Sequence, residues 1–352
     1  MKALVLSEYN KLEILDVAKP VAGPREVLVQ VAGCGICGSD VHGVDGSTGR
    51  RIPPLVMGHE AAGIVAEVGE GVTAFQAGDR VTFDSSVYCG ECEFCRTGFF
   101  NLCDNREIVG VSTPDFRRQG AFAEYVTVPE RIVYKLPDGM PFEQAAMLEA
   151  VSVALHGVAV SELKGGETAL VIGAGMIGLL TLQAAKAAGC STVLVADIDA
   201  SRLEQAYESG ADGTILASGP ELVAEVLRRT NGRGVDVVLE AVGRDETITA
   251  GVNAVRKGGT VTLIGNITPS VTLPLQRVVA CQIRLQGSCA SSGEYRQAMD
   301  LMAQGKIKVA PLITRVAPLS DGAEWFERLH RREPGLMKIV LDPRLDSVEV
   351  GA

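Results

Sequence analysis

The chain has 352 residues, 47% of them hydrophobic and 5% aromatic, with 40 Gly, nine Cys and a net charge of −10. That length and apolar content suit roughly two ordinary domains with buried cores, and exclude a disordered chain or a small disulfide scaffold. An acidic protein of pI near 5.1 is repelled by phosphate backbones and its few aromatics offer little stacking surface, which excludes nucleic acid as the main partner.

The first part of the chain reads as short strands at 3–6, 12–17, 26–32, 63–68, 79–83 and 123–128, parted by Gly and Pro. This all-β pattern predicts a distorted barrel. Helical spacing takes over at 142–160. Strands at 169–172, 192–196, 235–240, 260–264 and 283–287 then alternate with helices at 178–188, 201–209, 221–229 and 246–256. Such alternation predicts a parallel sheet with right-handed crossovers. The uncharged stretch between Glu167 and Lys186 matches a membrane span in length, but Gly173, Gly175, Gly178, Thr181 and Gln183 interrupt it, so it reads as a buried strand and helix and no membrane partner is expected. Residues 294–341 hold one or two helices and a strand at 337–341, ahead of a tail at 346–352 expected to fray. The apolar run at 3–6 is too short for a secretory signal, so the expected compartment is the reducing cytoplasm.

Leu170-Val171-Ile172 leads into Gly173-Ala174-Gly175-Met176-Ile177-Gly178 and an Ala-rich helix. A G-x-G-x-x-G that leaves a strand and opens a helix is the context in which the motif binds a dinucleotide. The first Gly permits the turn, the second lets pyrophosphate reach the backbone, and the third lets helix and sheet pack closely. The next strand ends at Asp197, whose carboxylate can accept the ribose hydroxyls of NAD and repels a 2′-phosphate. Arg202 is placed to cover the adenine, or to sit in solvent.

Cys89, Cys92, Cys95 and Cys103 form C-x2-C-x2-C-x7-C, four thiolates able to close around one tetrahedral zinc and leave no open position, which marks a structural site. Pairwise disulfides are the competing reading, disfavoured by a reducing compartment. Cys37 and His59, with the adjacent Glu60, offer three ligands and leave room for water or substrate on the metal. Cys34, Cys190, Cys281 and Cys289 are taken as packing residues, and His156 and His330 have no evident partner.

These motifs, with Gly35-Ile36-Cys37-Gly38-Ser39-Asp40, Gly58-His59-Glu60, Gly120 to Tyr125, Glu149 to His156 and Met337-Lys338, run in the order of a known family. The chain resembles the zinc-dependent medium-chain dehydrogenases/reductases, of the sorbitol (polyol) and threonine dehydrogenase branch, over essentially its whole length. The resemblance implies an α/β fold: a GroES-like distorted β-barrel catalytic domain at 1–155, with the structural zinc lobe at 89–103 and completed by 293–352, plus a Rossmann doubly wound parallel sheet at 156–292. It further implies that Cys37 and His59 hold a catalytic zinc, with Glu60 a ligand or an exchanging close neighbour and Glu149 at that zinc or its water, so two zinc ions per chain. Ser39 and His42 match the family's proton-relay positions.

The implied reaction is oxidation of a secondary alcohol, a small-molecule polyol or sugar alcohol, by NAD to a ketone and NADH. Relatives pair through the edge of the Rossmann sheet, here the strand at 283–287, so a homodimer or homotetramer is expected. Animal sorbitol dehydrogenases carry an Arg-Tyr pair after the last Rossmann strand and a Tyr where this chain has Gly43; both are missing here. An amino alcohol or a polyol phosphate is therefore the alternative substrate, with Arg50, Arg51, Arg117 and Arg118 as candidate anion contacts. A non-catalytic NAD-binding homologue is the alternative outside the enzymes.

Overall fold

The computed structural model describes residues 1–113 and 116–347, which form two compact units. One comprises Met1–Glu149 and Val309–Ala352, the other Ala150–Lys308, so the dividing points fall at 149/150 and 308/309 rather than at the expected 155/156 and 292/293.

The first unit wraps two antiparallel-rich sheets around one apolar core. The longest strand, Glu26–Gly35, pairs with Glu60–Val68 on one side and Lys338–Asp342 on the other, and Tyr125–Pro129 also joins it. A smaller sheet sets Lys2–Glu8 between Lys11–Asp16 and Leu55–Val56, and an Ala3–Ala123 bridge ties it to the segment before Tyr125. Leu4, Leu6, Val29, Met57, Phe83 and Phe122 fill the interior, where Phe122 meets the edge of Phe326 at 5.6 Å. The strand expected to stop at 32 continues to Gly35, because Gly33 and Cys34 keep pairing with Ala62 and Ala61. That extension carries the chain to Cys37.

The second unit is a six-stranded parallel sheet in the order Gly213–Leu216, Thr192–Asp197, Thr168–Ile172, Val235–Glu240, Val255–Leu263, Arg284–Gly287. This is the Rossmann order, which reverses direction next to Thr168–Ile172. Its central strands are buried along their length, as expected of a sheet covered on both faces. Gly213–Leu216 escapes the sequence reading because only Ile215 of its four residues is buried, so it lacks the apolar run of its neighbours. The stretch around 167–186 is the strand Thr168–Ile172 and the helix Met176–Ala187, and among the described residues no helix is long and apolar enough to cross a membrane. Of the expected tail, residues 348–352 lie outside the described residues, while Asp346 and Ser347 belong to a short 3-10 helix in which Asp346 accepts from the Ser320 N–H at 3.2 Å.

Candidate active site and metal centres

Cys37 caps the short helix Gly38–Gly43, directly after the strand that ends at Gly35, and His59 precedes the strand that begins at Glu60. Antiparallel register sets Gly35 opposite Glu60 and so brings the two segments together. A Cβ at Gly35 would collide with the Glu60 carboxylate, so glycine is required for that approach. The ligand atoms of Cys37, His59 and Glu60 all lie within 4.8 Å of one another, with His59 and Glu60 buried. One thiolate, one imidazole and one carboxylate at this spacing fit a zinc ion that keeps an open position.

A second layer holds these groups. Asp40 is fully buried, with Oδ2 facing His59 Nδ1 at 3.4 Å, which leaves Nε2 for a metal. Burial would raise the Asp40 carboxyl, but the adjacent His59 and Arg51 overcome it and hold it well below the usual carboxylate range. Lys338 is equally buried; its ammonium donates to Glu60 Oε2 at 2.6 Å and to the Ile36 carbonyl at 3.0 Å. Burial works against that charge, yet the Glu60 carboxylate raises it above the ordinary lysine value. Ser39 donates to Cys37 Sγ at 3.3 Å, and His42 is exposed on the same helix. Glu149 lies outside the three-residue cluster. Its Oε1 accepts from Ser85 Oγ at 3.3 Å, and burial pushes its carboxyl up to about 6 against the pull of His59.

The sequence reading gave Asp40 and Lys338 no part beyond their places in motifs. Asp40 had a local signal, since a metal-binding imidazole takes a carboxylate or carbonyl on its other nitrogen. Lys338 had none, lying 278 residues from Glu60. The arginines expected as anion contacts are mostly used by the protein itself. Arg51 is buried against Asp40, Arg117 donates to the Ile52 and Pro54 carbonyls, and Arg118 pairs with Glu26 and Glu107. Gly43 has a reason too: its missing side chain makes the space taken by the stem of Arg51.

The four-cysteine lobe is a separate cluster. Its thiols also lie within 4.8 Å of one another, and none of the four is in a disulfide, so the disulfide reading is not what the structure shows. Cys89 Sγ accepts from the backbone N–H of Cys92 at 3.4 Å and of Glu91 at 3.5 Å, and Cys103 Sγ accepts from the Cys89 N–H at 3.2 Å. The N–H groups of Glu91 and Cys92 lower the Cys89 thiol to about 6, which suits a thiolate ligand. Two expectations need correction. Cys289 is exposed and so is not a packing residue, and His156 does have a partner, since its Nδ1 lies 2.7 Å from Glu294 Oε1.

In the second unit, Gly173 takes a φ of +97°, and a side chain at Gly178 would strike the Gly173 carbonyl, so both must be glycine. Gly175 caps the helix Met176–Ala187 with nothing within 4 Å of where a Cβ would stand, leaving the helix N-terminus open to a phosphate. Met176 and Ile177, in the first turn, are half-buried. Asp197 Oδ2 accepts from the Ala174 N–H at 2.7 Å, and Oδ1 from those of Ile198 and Asp199. A carboxylate has about four acceptor positions, so these three bonds leave about one for a ribose hydroxyl. Arg202 stands half-exposed, 3.8 Å from Asp199.

Two family models match the chain: the alcohol dehydrogenase GroES-like domain over residues 23–138 and the zinc-binding dehydrogenase domain over 177–304. A sorbitol dehydrogenase of Bacillus subtilis is 32% identical over 97% of both chains, and a D-xylulose reductase A of Aspergillus oryzae is 34% identical over 93% of both. The crystal structure of galactitol-1-phosphate dehydrogenase from Escherichia coli superposes with a TM-score of 0.89 at 28% identity, covering 97% of this chain and 100% of that one.

Proposed function

The chain belongs to the zinc-binding alcohol dehydrogenase family, and we propose that it oxidises a secondary alcohol of a polyol or sugar alcohol with NAD+, giving a ketone and NADH. The observation that carries this reading is the cluster of half-buried Cys37 with buried His59 and Glu60, with the Ser39 hydroxyl against its thiol. In this reading those three residues hold the catalytic zinc, with Glu149 beside them, and Cys89, Cys92, Cys95 and Cys103 hold a structural one. When bound, the first ion supplies Lewis-acid polarisation of the substrate hydroxyl. Asp40 fixes the tautomer and direction of the His59 ring, while Lys338 neutralises one oxygen of Glu60. Ser39 takes the hydroxyl proton outward, and it leaves through the cofactor ribose toward exposed His42 or solvent. NAD+ would be held by Gly173, Gly175, Met176, Ile177 and Gly178 at its pyrophosphate, by Asp197 at its ribose and by Arg202 at its adenine, and would supply the acceptor for the hydride of the carbinol carbon.

Arg50 supports a second reading. Among the described residues it is the one of the four arginines whose guanidinium has no acceptor on the protein, which keeps a polyol phosphate in play as substrate. Exposed Leu275 and Val279, just before the edge strand Arg284–Gly287, support a homodimer or homotetramer formed across that edge. The lobe thiols Cys89, Cys92, Cys95 and Cys103, grouped without disulfides, support a reducing compartment such as the cytoplasm.

NADH formation should be followed across polyols, polyol phosphates, threonine and simple secondary alcohols, alongside zinc content per chain. Turnover of a polyol, about two zinc ions per chain and a preference for NAD+ over NADP+ are expected. No turnover on the whole panel would overturn the enzymatic reading, and faster turnover with NADP+ would overturn the role of Asp197. A monomer in light scattering would overturn the edge pairing.

A further inference from the structure

Arg51 is an arginine of the first unit with almost no contact with water, being 3% exposed, and it has no part in the reaction as described so far. Four of the five N–H groups of its guanidinium find acceptors within the protein. Nε and Nη2 donate to Asp40 Oδ1 at 3.0 and 2.7 Å, Nη2 donates also to Ser39 Oγ at 3.3 Å, and Nη1 donates to the Arg50 carbonyl at 3.0 Å. Two chains of contact therefore leave one nitrogen. One runs through Asp40, whose other oxygen faces His59 Nδ1 at 3.4 Å, and the second runs through Ser39, whose hydroxyl donates to Cys37 Sγ at 3.3 Å. The fork is held in place by its stem, since a Cβ on Gly43 would stand 2.5 Å from Arg51 Cγ.

We propose that Arg51 is a positioning residue of the dehydrogenase reaction, fixing the Ser39 hydroxyl through Nη2 and the His59 imidazole through Asp40. The inference rests on the function proposed above. A serine hydroxyl rotates among staggered wells, and a donor on its oxygen leaves the hydroxyl hydrogen free to point at an acceptor. A cation at that oxygen also favours passing a proton onward over holding it. The planar fork fixes Nη2, because Nε donates to the same Asp40 oxygen and Nη1 to the Arg50 carbonyl; a lysine ammonium has donors enough for both acceptors but lacks these two anchoring bonds.

The test compares Arg51→Met, Arg51→Lys, Gly43→Ala, Ser39→Ala and the Arg51→Met/Ser39→Ala double variant, as zinc-loaded full-length protein, each checked by circular dichroism. Arg51→Met is expected to lower kcat by about 10- to 100-fold with KM changed by less than about threefold, and to enlarge the solvent deuterium isotope effect on kcat. Arg51→Lys recovers a minor part of this. Gly43→Ala displaces the stem and shows the same signature with the arginine present. In the double variant the Arg51 substitution adds less than about twofold to Ser39→Ala, because both act on one hydroxyl. Independently of activity, zinc release from the Cys37 centre of Arg51→Met to a chelator is about tenfold faster than from the unsubstituted protein. A folded Arg51→Met with unchanged kcat, isotope effect and zinc release would overturn the proposal, as would full additivity with Ser39→Ala. If the unsubstituted protein turns over no alcohol, the functional reading fails instead, while the zinc-release comparison still decides the Asp40 to His59 contact.

Discussion

The two candidate metal centres of the first unit are built from opposite materials. The Cys89 lobe gathers four sulfurs, two half-buried and two buried, and what surrounds them is backbone: N–H groups of Cys89, Glu91 and Cys92 donating to sulfur. The Cys37 centre mixes sulfur, nitrogen and oxygen in a buried setting, and what surrounds it is charged side chains: Asp40, Arg51, Lys338 and, a little further off, Glu149. Backbone amides cannot be mutated away or reorganised easily, so the lobe suits permanence. Side-chain ion pairs in a low-dielectric setting are adjustable, and they hold ligands in place while an open position remains for chemistry.

That contrast can be broken by experiment. Cys37→Ser is expected to lower kcat/KM by about 1,000-fold or more and to remove one zinc per chain while leaving the melting temperature nearly unchanged; activity retained with both ions present would make the lobe and the centre interchangeable. Lys338→Met strips Glu60 of its buried partner, and breaking such a pair costs about 3–5 kcal/mol. It should lower thermal stability and loosen zinc at the Cys37 centre, leaving the lobe ion in place, as metal analysis after partial chelation would read. Cys92→Ser should do the converse, with a stability loss of about 2–3 kcal/mol, or several degrees in Tm, and kcat at 25 °C within about twofold of the unsubstituted protein. Glu149→Gln is the finest probe. It keeps the Ser85 contact but removes a carboxylate, so a fall of about tenfold in kcat/KM with both ions retained would place Glu149 among the groups that tune the centre. Loss of one ion would make it a ligand.

Local features were legible in the sequence. The cysteine spacing of the lobe, the glycines of the dinucleotide turn and Asp197 each act within a few dozen residues, and their spacing is their geometry. Cys37 and His59 were readable as a pair because two adjacent strands deliver them. What could not be read was whatever needs the tertiary fold. Arg51 and Lys338 carry no signature that separates them from a solvated cation, and only the partners folded against them, Asp40 and Glu60, identify them. The strand Val255–Leu263 was placed late, at 260–264, because Gly258 and Gly259 look like a turn, whereas in the sheet the irregular pairing between Val235 and Val237 absorbs them.

The strand Lys338–Asp342 pairs with Glu26–Gly35 and brings Lys338 to Glu60, yet the whole second unit lies between them in the chain. On a ribosome, which delivers the chain from its N-terminus, the Rossmann unit is complete while the first unit still lacks a central strand and the cation for its buried carboxylate. The first segment must therefore wait, with Cys37, His59 and the lobe thiols already synthesised and the Cys34–Gly35 end of its longest strand lacking its partner on one side. Early metal capture by the lobe, which needs no later residue, would give that waiting segment its first fixed point, and a chain stopped before residue 338 should hold zinc there and nowhere else.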